Sequence, residues 1–422
     1  MKPSIFTSLS PNIERDDFVM ALKLFLTPWR WKHGKHAELL EKAFADFFQV
    51  QTAVSFNSGR SSLLALLKIF DVQKNDEILL QAFTCSAVPA PIIWAGAKPV
   101  FVDVDPSTFT LSVHDLEKKI TQRSKGIIAQ HTFGISADME RILIIAKKHG
   151  LFVIEDCAHA IGNVYAGNGN ERDGKKLGTL GDAGFFSFGR DKVISSVYGG
   201  MAITNNPALG EKLRMVQSEY EFPRLFWIGQ QLWHPLILRI LIPLYYFLNI
   251  GKILLVLFQK LGLLSLAISK EERSARKPSF FPKKFPNALA ALAFHQFKKL
   301  EKFQQHRIFL AEFYNKALKS YRMRLPQNVA GTIFLRYPLA TPRAQEILHK
   351  AKEAHIVLGD WYTSVLAPEK IDIQLYGYKN GCCPVAQRLS EETFNLPTHI
   401  HISERDAKHI VQFLEKYLSN IQ

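Results

Sequence analysis

Residues 151–162, LFVIEDCAHAIG, decide the fold class. The apolar run 151–154 predicts a short buried strand, and Glu155 and Asp156 follow at its carboxyl end. Strand-like runs alternate with helical patterns earlier in the chain, at 52–56, 77–83, 98–104 and 126–133. This alternation is typical of βαβ units, which build a parallel sheet. We therefore expect an α/β fold, with helices on both faces of the sheet, over about residues 50–205.

The acidic pair at the end of this strand has two interpretations. Ligands of open parallel sheets bind outside the carboxyl ends of the strands, where Glu155 and Asp156 would face water or a cation. Alternatively, the pair caps the helix that follows.

A turn of small residues, NSGRSS at 57–62, lies between a strand-like run and a helical run. The N-terminus of a helix offers free N–H groups and the positive end of the helix dipole, which suit a phosphate. The turn lacks the spacing of a P-loop or of a GxGxxG motif, so a plain tight turn is the alternative.

The segment 181–192, GDAGFFSFGRDK, places Lys192 just beyond an aromatic strand. Such a lysine is either a solvated surface residue or a desolvated amine with a lowered pKa, which can form a Schiff base. The glycine pair at 199–200 would let the backbone pack tightly around it.

Taken in this order, with Lys192 36 residues after Asp156, the three segments resemble the fold-type I pyridoxal-phosphate enzymes. More narrowly, the chain resembles the DegT/DnrJ/EryC1/StrS aminotransferases, which aminate keto-sugars carried on nucleotides. The resemblance implies a large domain with a mostly parallel sheet and a smaller C-terminal α+β domain. It includes WAGAKPVFVDVDPSTFTL, HTFGISADM, LGTLGDAGFFSFGRDK and NLPTHIHISERDAKHIV, and it covers most of the chain.

The resemblance assigns roles around the ring of pyridoxal 5'-phosphate. Lys192 would form the Schiff base with the cofactor and move the proton during catalysis. Asp156 would pair with the pyridinium nitrogen and keep it protonated. Ala158 would pack on one face of the ring, and His159 would lie near the ring hydroxyl.

The phosphate of the cofactor would be held by Gly59, Arg60, Ser61 and the hydroxyl of Ser187. Cys85 stands where many members of the family place an aromatic residue that stacks on the other ring face. A thiol covers less of the ring than an aromatic side chain does. The alternative is that Cys85 is only a small buried apolar residue. Members often supply an asparagine from the neighbouring subunit to the phosphate. Here the corresponding stretch is FFPKKFPN, so Lys283 or Lys284 is the candidate replacement.

An apolar block at 225–269 interrupts the resemblance, with only three charged residues among 45. Its charges, Arg239, Lys252 and Lys260, break every run before it reaches the length of a spanning helix. One interpretation is peripheral contact with a membrane, through bulky aliphatic residues with Trp233, Tyr245 and Tyr246 and a basic flank at 270–284. The alternative is an additional core hairpin at a dimer interface or under the C-terminal domain.

The activity that follows from the resemblance is transfer of an amino group, from glutamate as donor, to an anionic keto-sugar nucleotide in polysaccharide or secondary-metabolite biosynthesis. A homodimer also follows, because the active site of the family is built between two subunits. The alternatives are a lipid-linked acceptor, and a regulatory or membrane-associated protein that binds the cofactor without turnover. Sugar dehydration uses a histidine in place of the lysine, and Lys192 argues against it.

Composition sets the remaining expectations. Lys and Arg exceed Asp and Glu by 53 − 38 = 15, which attracts anions, but no nucleic-acid-binding motif is present. The four cysteines are too few and too unevenly placed for a disulfide framework, and the N-terminal residues show no basic and apolar leader. We therefore expect a cytoplasmic protein, and more narrowly one at the inner face of the membrane. We expect no metal, since Cys382–Cys383 and His399 with His401 lack zinc spacing. The predicted divisions are a large domain at 1–218, the insertion at 219–274 and a C-terminal part at 275–422.

Overall fold

The structure, a computed structural model, describes residues 5–8, 12–167, 169, 171–245, 249–321, 323–327 and 329–418. Its strands are β1 (Ile5–Phe6), β2 (Thr52–Phe56), β3 (Glu77–Gln81), β4 (Thr84–Cys85), β5 (Lys98–Val102), β6 (Ser124–Gln130), β7 (Phe152–Asp156), β8 (Ala183–Ser187), β9 (Gly200–Thr204), β10 (Arg336–Ala340), β11 (Ile356–Val357), β12 (Leu366–Ala367) and β13 (Thr393–Pro397). Its helices are α1 (Arg15–Phe25), α2 (His36–Phe48), α3 (Gly59–Ile69), α4 (Pro89–Trp94), α5 (Val113–Lys119), α6 (Met139–His149), α7 (Pro207–Glu219), α8 (Leu225–Leu241), α9 (Ile250–Lys260), α10 (Lys270–Arg273), α11 (Asn287–Phe297), α12 (Leu300–Leu318), α13 (Ala344–Glu353), α14 (Pro384–Glu392) and α15 (Glu404–Leu418).

A seven-stranded sheet with the order β2-β9-β8-β7-β6-β3-β5 forms the centre of the large domain. Its strands pair in parallel from β8 to β5, and β9 runs antiparallel to both β8 and β2. Alternate residues of β3 pack on opposite faces: Ile78 and Leu80 join one apolar cluster and Leu79 the other. Both faces are therefore covered, and the predicted α/β fold with a mostly parallel sheet is confirmed.

The start of α3 lies close to the antiparallel strand β9. Ser58 caps α3 by accepting a hydrogen bond from the Ser61 N–H. A Cβ atom added at Gly200 would lie 2.4 Å from the backbone carbon of Ser58, so only glycine permits this approach. The tight packing at Gly200 is therefore against the small-residue turn, and not around Lys192 as expected.

The C-terminal part combines helices with a small antiparallel sheet. Strand β10 pairs with β13, with Arg336 opposite Pro397 and Ala340 opposite Thr393. Helix α12 packs against α15, and α13 packs against α14 and β13. This agrees with a smaller α+β domain, whereas the predicted divisions at 218/219 and 274/275 stay a prediction.

The apolar insertion forms helices α8 and α9, which differ in burial. Helix α8 packs on α1 and α11 and buries residues that include Trp227, Ile228, Leu232 and Leu236. Helix α9 lies outside it and buries only Gly251. Helix α8 is therefore part of the core, as the core-hairpin interpretation expects, whereas α9 is exposed.

Two of the predicted membrane-facing aromatic residues contact protein instead. The Trp233 ring packs on Phe25 with ring centres 5.3 Å apart, and Tyr245 packs on Phe6 at 5.0 Å. Tyr246 lies outside the described residues. Among the described residues, no helix combines the length and the apolar character that crossing a bilayer requires.

Candidate active site

A cavity of about 550 Å³ opens at the carboxyl ends of the parallel strands. Eight of the nine predicted site residues line it: Gly59, Arg60, Cys85, Asp156, Ala158, His159, Ser187 and Lys192. They come from four separate places in the sequence, and the sheet brings them together because parallel strands end at one edge.

Ser61 is the predicted residue that lies away from the cavity wall. It is fully buried, its hydroxyl donates to Asn57 Oδ1 at 2.7 Å, and its N–H donates to the Ser58 hydroxyl at 3.0 Å. Residues two apart on a helix point about 200° apart, so Gly59 and Ser61 face different sides of α3. The predicted phosphate contact of Ser61 thus has no support from its position.

The acidic pair at the end of β7 divides between the two faces of the sheet. Glu155 is fully buried and accepts hydrogen bonds from the N–H groups of Gly178, Leu180 and Gly181, while Oε2 also lies 3.0 Å from His131 Nε2. Successive side chains of a strand point to opposite faces, so Asp156 alone reaches the cavity. Glu155 thus organises the loop before β8, and the two residues do not form a joint cation site.

Asp156 and Lys192 carry the electrostatics of the cavity. Asp156 Oδ1 accepts the Ala158 N–H at 2.9 Å, and the carboxylate is 3% exposed. Burial raises the pKa of Asp156, against the opposing effects of that hydrogen bond and of Lys192. Burial likewise lowers the pKa of Lys192 to about 8, although the attraction of Asp156 opposes this. Lys192 is therefore an amine that deprotonates readily near neutral pH.

His159 is held as a neutral ring. Its Nδ1 atom accepts the Phe133 N–H at 3.2 Å, which leaves the proton on Nε2, 3.4 Å from the Tyr362 hydroxyl. Burial lowers the pKa of His159 well below its usual value, and the charges of Lys192 and Arg336 act in the same direction.

Trp361 and Tyr362, which the sequence analysis missed, form an aromatic wall of the cavity. The Trp361 ring is stacked on His159 with ring centres 5.3 Å apart, and Lys192 Nζ lies 4.9 Å from the centre of the same ring. The adjacent aromatic pair was visible in the sequence, but nothing local connects it with Lys192. Cys85 lines the cavity as predicted, and its pKa is raised by burial, so it is a thiol there.

The start of α3 and the hydroxyl of Ser187 form one end of the cavity. A Cβ atom at Gly59 would lie 3.1 Å from the Ser187 Cβ, so these two segments are in close contact. Ser187 Oγ accepts the Gly189 N–H at 3.3 Å, which leaves the hydroxyl proton able to donate. Arg60 lines the same end and forms an ion pair with the buried Glu272.

The candidate replacements for the asparagine point away from the cavity of their own chain. Lys283 pairs with Glu221 at 2.9 Å, and Lys284 lies 5.9 Å from the Phe222 ring centre. The contact of either lysine with a neighbouring subunit stays a prediction.

The remaining cysteine and histidine pairs have contacts within the fold. The sulfur atoms of Cys382 and Cys383 are 3.6 Å apart, beside Lys119. The Nε2 atoms of His399 and His401 bond to the carbonyls of Phe6 and Ile13.

Comparison with known proteins agrees with this geometry. The sequence profile of the DegT/DnrJ/EryC1/StrS aminotransferase family matches residues 12–221 and 259–415. GDP-perosamine synthase of Caulobacter vibrioides is 36% identical over 219 residues, which is 52% of this chain and 57% of that relative. A pleiotropic regulatory protein of Geobacillus stearothermophilus is 28% identical over 98% of this chain and 96% of its own.

A solved structure supports the fold over the whole chain. NtdA from Bacillus subtilis, with bound cofactor PMP, has a TM-score of 0.74 and 19% identity, covering 100% of this chain and 86% of its own. The profile leaves out 222–258, which contains α8 and most of α9. The family pattern therefore lies on both sides of 222–258 and includes 259–274, the end of the predicted insertion, and the chain belongs to the DegT/DnrJ/EryC1/StrS aminotransferase family.

Proposed function

We propose that this chain is a pyridoxal 5'-phosphate-dependent aminotransferase that moves an amino group from glutamate to a keto-sugar carried on a nucleotide. The observation that carries the proposal is the pair Lys192 and Asp156 in one cavity at the strand ends. An amine with a pKa near 8 and a buried carboxylate are the two groups that the chemistry needs from the protein.

The residues of the cavity fit the cofactor. Within the described part of the chain, Asp156 Oδ2 has no hydrogen-bond partner, so it is free to accept from a ring N–H. The N-terminus of α3, with Arg60 and the Ser187 hydroxyl, suits a phosphate dianion. When bound, the cofactor supplies an electron-accepting ring that stabilises the carbanion formed at Cα of the amino acid.

The residues of the chain then handle the proton. As a neutral amine, Lys192 would take the proton from Cα of the donor and deliver it to C4′ of the cofactor in the same half-reaction, and it would move a proton in the opposite direction when the acceptor is aminated. Asp156 holds a positive charge on the ring nitrogen by attraction. Trp361 and Tyr362 exclude water from the side of Lys192, which preserves the lowered pKa of its amine.

The acceptor class follows from the relatives. Arg190, Arg273 and Lys370 line the cavity and can contact the diphosphate of a nucleotide-sugar, although Asp191, Asp360 and Glu369 line it as well. GDP-perosamine synthase, as named, belongs to nucleotide-sugar chemistry, which supports the same class here. Polysaccharide or secondary-metabolite biosynthesis in the cytoplasm is the corresponding process.

The test follows the two half-reactions by absorbance. Glutamate should convert the visible band of the aldehyde form of the bound cofactor into the near-ultraviolet band of its amine form. A keto-sugar nucleotide should then restore the visible band, and a screen of such compounds would identify the acceptor. A spectrum that no amino acid changes would contradict turnover and favour the regulatory alternative. The Geobacillus relative is named a pleiotropic regulatory protein, which is the reason for keeping this alternative.

We also propose a homodimer, as the family resemblance implies. Sedimentation equilibrium of the cofactor-loaded protein should give the mass of two chains. A single-chain mass at micromolar concentration would contradict it.

We further propose peripheral membrane contact through the insertion. Ile253, Val256 and Leu257 are exposed and lie on one face of α9, at the spacing i, i+3, i+4. Segment 222–270 contains five basic residues and no acidic residue. Each basic residue near an anionic lipid surface contributes roughly 1 kcal/mol, so phosphatidylglycerol membranes are the partner with matching charge.

Replacing Ile253, Val256 and Leu257 together by serine tests this contact without disturbing the buried helix α8. The wild-type protein should sediment with vesicles of phosphatidylcholine and phosphatidylglycerol, and the triple variant should not. The matched control replaces Ile144 of α6 by serine, since both Ile144 and Ile253 are 62% exposed. Equal sedimentation of the wild-type protein and the triple variant would remove the proposal.

A further inference from the structure

The segment 265–275, here called the return segment, leads from the insertion back to the family core and lies against the cavity. Ala267, Ile268 and Arg273 line the cavity. Side chains from elsewhere in the chain bind the carbonyl groups of the return segment: Arg190 donates to Ser265 O at 2.8 Å, Tyr198 to Leu266 O at 2.6 Å, Arg60 to Ala267 O at 3.3 Å, Trp94 to Ala275 O at 3.0 Å, and Tyr376 to Glu272 O. Three of these donors, Arg190, Tyr198 and Arg60, also line the cavity, so the return segment is attached to the cavity wall at three points.

Glu272 is the charged residue of this segment with the most constrained position. Its side chain is 1% exposed, Oε1 pairs with Arg60 Nη1, and Oε2 accepts the Ser269 N–H at 2.8 Å. The second of these bonds belongs to the capping box of α10. Both oxygens are therefore occupied, and a carboxylate so deeply buried requires partners of this kind.

Arg60 is held between the return segment and two aromatic rings. Its guanidinium carbon lies 4.6 Å from the Phe281 ring centre and 5.5 Å from that of Tyr198. Burial, the largest single effect, acts to lower the pKa of Arg60, but Glu272, Tyr198 and Cys85 together act in the opposite direction and the pKa is raised. The Nε and Nη2 groups have no hydrogen-bond partner among the described residues, so donors remain for an anion.

The position of Arg60 in α3 directs these donors to the phosphate end. Arg60 is the second residue of the helix, next to Gly59, which contacts Ser187. A long side chain at this point would otherwise sample many rotamers, and ordering it on cofactor binding would reduce affinity.

We propose that Glu272 is a positioning residue, which holds the Arg60 guanidinium for the cofactor phosphate and so makes the return segment part of the cofactor site. The inference rests on the proposed function, because it assumes that pyridoxal 5'-phosphate binds in this cavity. It assigns the return segment a role inside the molecule, independent of any contact with lipid.

The test compares pyridoxal 5'-phosphate with pyridoxal, which lacks the phosphate. Dissociation constants for the cofactor-free protein are measured by quenching of tryptophan fluorescence, for the wild-type protein and for Glu272→Gln. We expect the variant to bind pyridoxal 5'-phosphate roughly tenfold more weakly and pyridoxal within about twofold of the wild-type value. The matched control is Glu271→Gln, since Glu271 is an exposed acid of the same helix and should leave both constants unchanged.

A second pair of variants separates a positioning role from a structural one. In an Arg60→Ala background, Glu272→Gln should have no further effect on the affinity for pyridoxal 5'-phosphate, because the two residues act together. Glu272→Asp keeps the charge and serves if the glutamine variant does not fold; it should give an intermediate loss. Equal weakening for both ligands, or no weakening for either, would overturn the inference. Failure of the wild-type protein to bind pyridoxal 5'-phosphate would instead refute the proposed function.

Discussion

Charged groups are buried in the cavity at the strand ends, whereas apolar groups are exposed on helix α9 of the insertion. Asp156 is 3% exposed and faces the Lys192 amine, and Glu272 is buried against Arg60. Ile253, by contrast, is 62% exposed on a helix that buries only Gly251. Both regions depart from the usual distribution of polar and apolar residues, in opposite directions.

The two regions differ in where the partners of their unusual side chains are found. A buried charge requires a partner in the fold, and the cavity contains these partners. An exposed apolar face requires a partner outside the chain, or it remains a liability for aggregation. The cavity is therefore explained by its own residues, whereas the exposed face of α9 is the feature on which the proposed lipid contact rests.

Removing the Lys192 amine should have the largest effect. Lys192→Ala should lower the rate of amino transfer by at least about 10³-fold, because the proton transfer at Cα then lacks its base. Borohydride reduction followed by peptide mapping should also give no labelled peptide. The matched control is Lys370→Ala, an exposed lysine on the same cavity, which should leave the half-reaction with glutamate unchanged; similar losses of this half-reaction in both variants would assign the chemistry to cavity charge in general.

The two helices of the insertion should differ strongly in their contribution to stability. Leu232→Ala on α8 should lower the free energy of unfolding by about 2–5 kcal/mol, because Leu232 is fully buried and its truncation leaves a cavity. Ile253→Ala on α9 should change it by no more than about 0.5 kcal/mol. Urea denaturation of both variants measures the two values. Equal losses would show that α9 is as much a part of the core as α8.

The sheet could be predicted from local sequence patterns, and the site residues could be predicted from the family resemblance, whose motifs are also local. The strand at 152–156 and the turn at 57–62 are short patterns, and the topology of a parallel sheet then places their ends together. Ser61 is the exception within the turn, since the rotation of the helix carries it away from Gly59. That Glu155 and Asp156 point to opposite faces of the sheet could also have been predicted, because side chains alternate along a strand.

The residues that escaped prediction reach the cavity through distant packing. Trp361 contacts His159 only because the C-terminal part folds back on the strand ends. Glu272 contacts Arg60 although the two residues are 212 positions apart in the sequence. The residues 222–258, which the family profile does not match, lie between them. The composition of the insertion indicated its apolar character. It could not indicate that α8 is buried and α9 exposed, because this depends on the packing of α8 against α1 and α11.

The smallest effect that we expect concerns pH, and it tests whether burial or attraction dominates in the cavity. Only the neutral amine of Lys192 reacts with the aldehyde, and burial lowers its pKa from 10.5 to about 8. The rate at which cofactor-free protein captures pyridoxal 5'-phosphate, trapped by borohydride, should therefore rise with pH and reach half of its maximum near pH 8. Asp156→Asn should move this midpoint to lower pH, because the carboxylate stabilises the ammonium form. A midpoint near that of an exposed lysine in the wild-type protein would show that the amine is fully hydrated, and an unchanged midpoint in the variant would show that Asp156 does not face it.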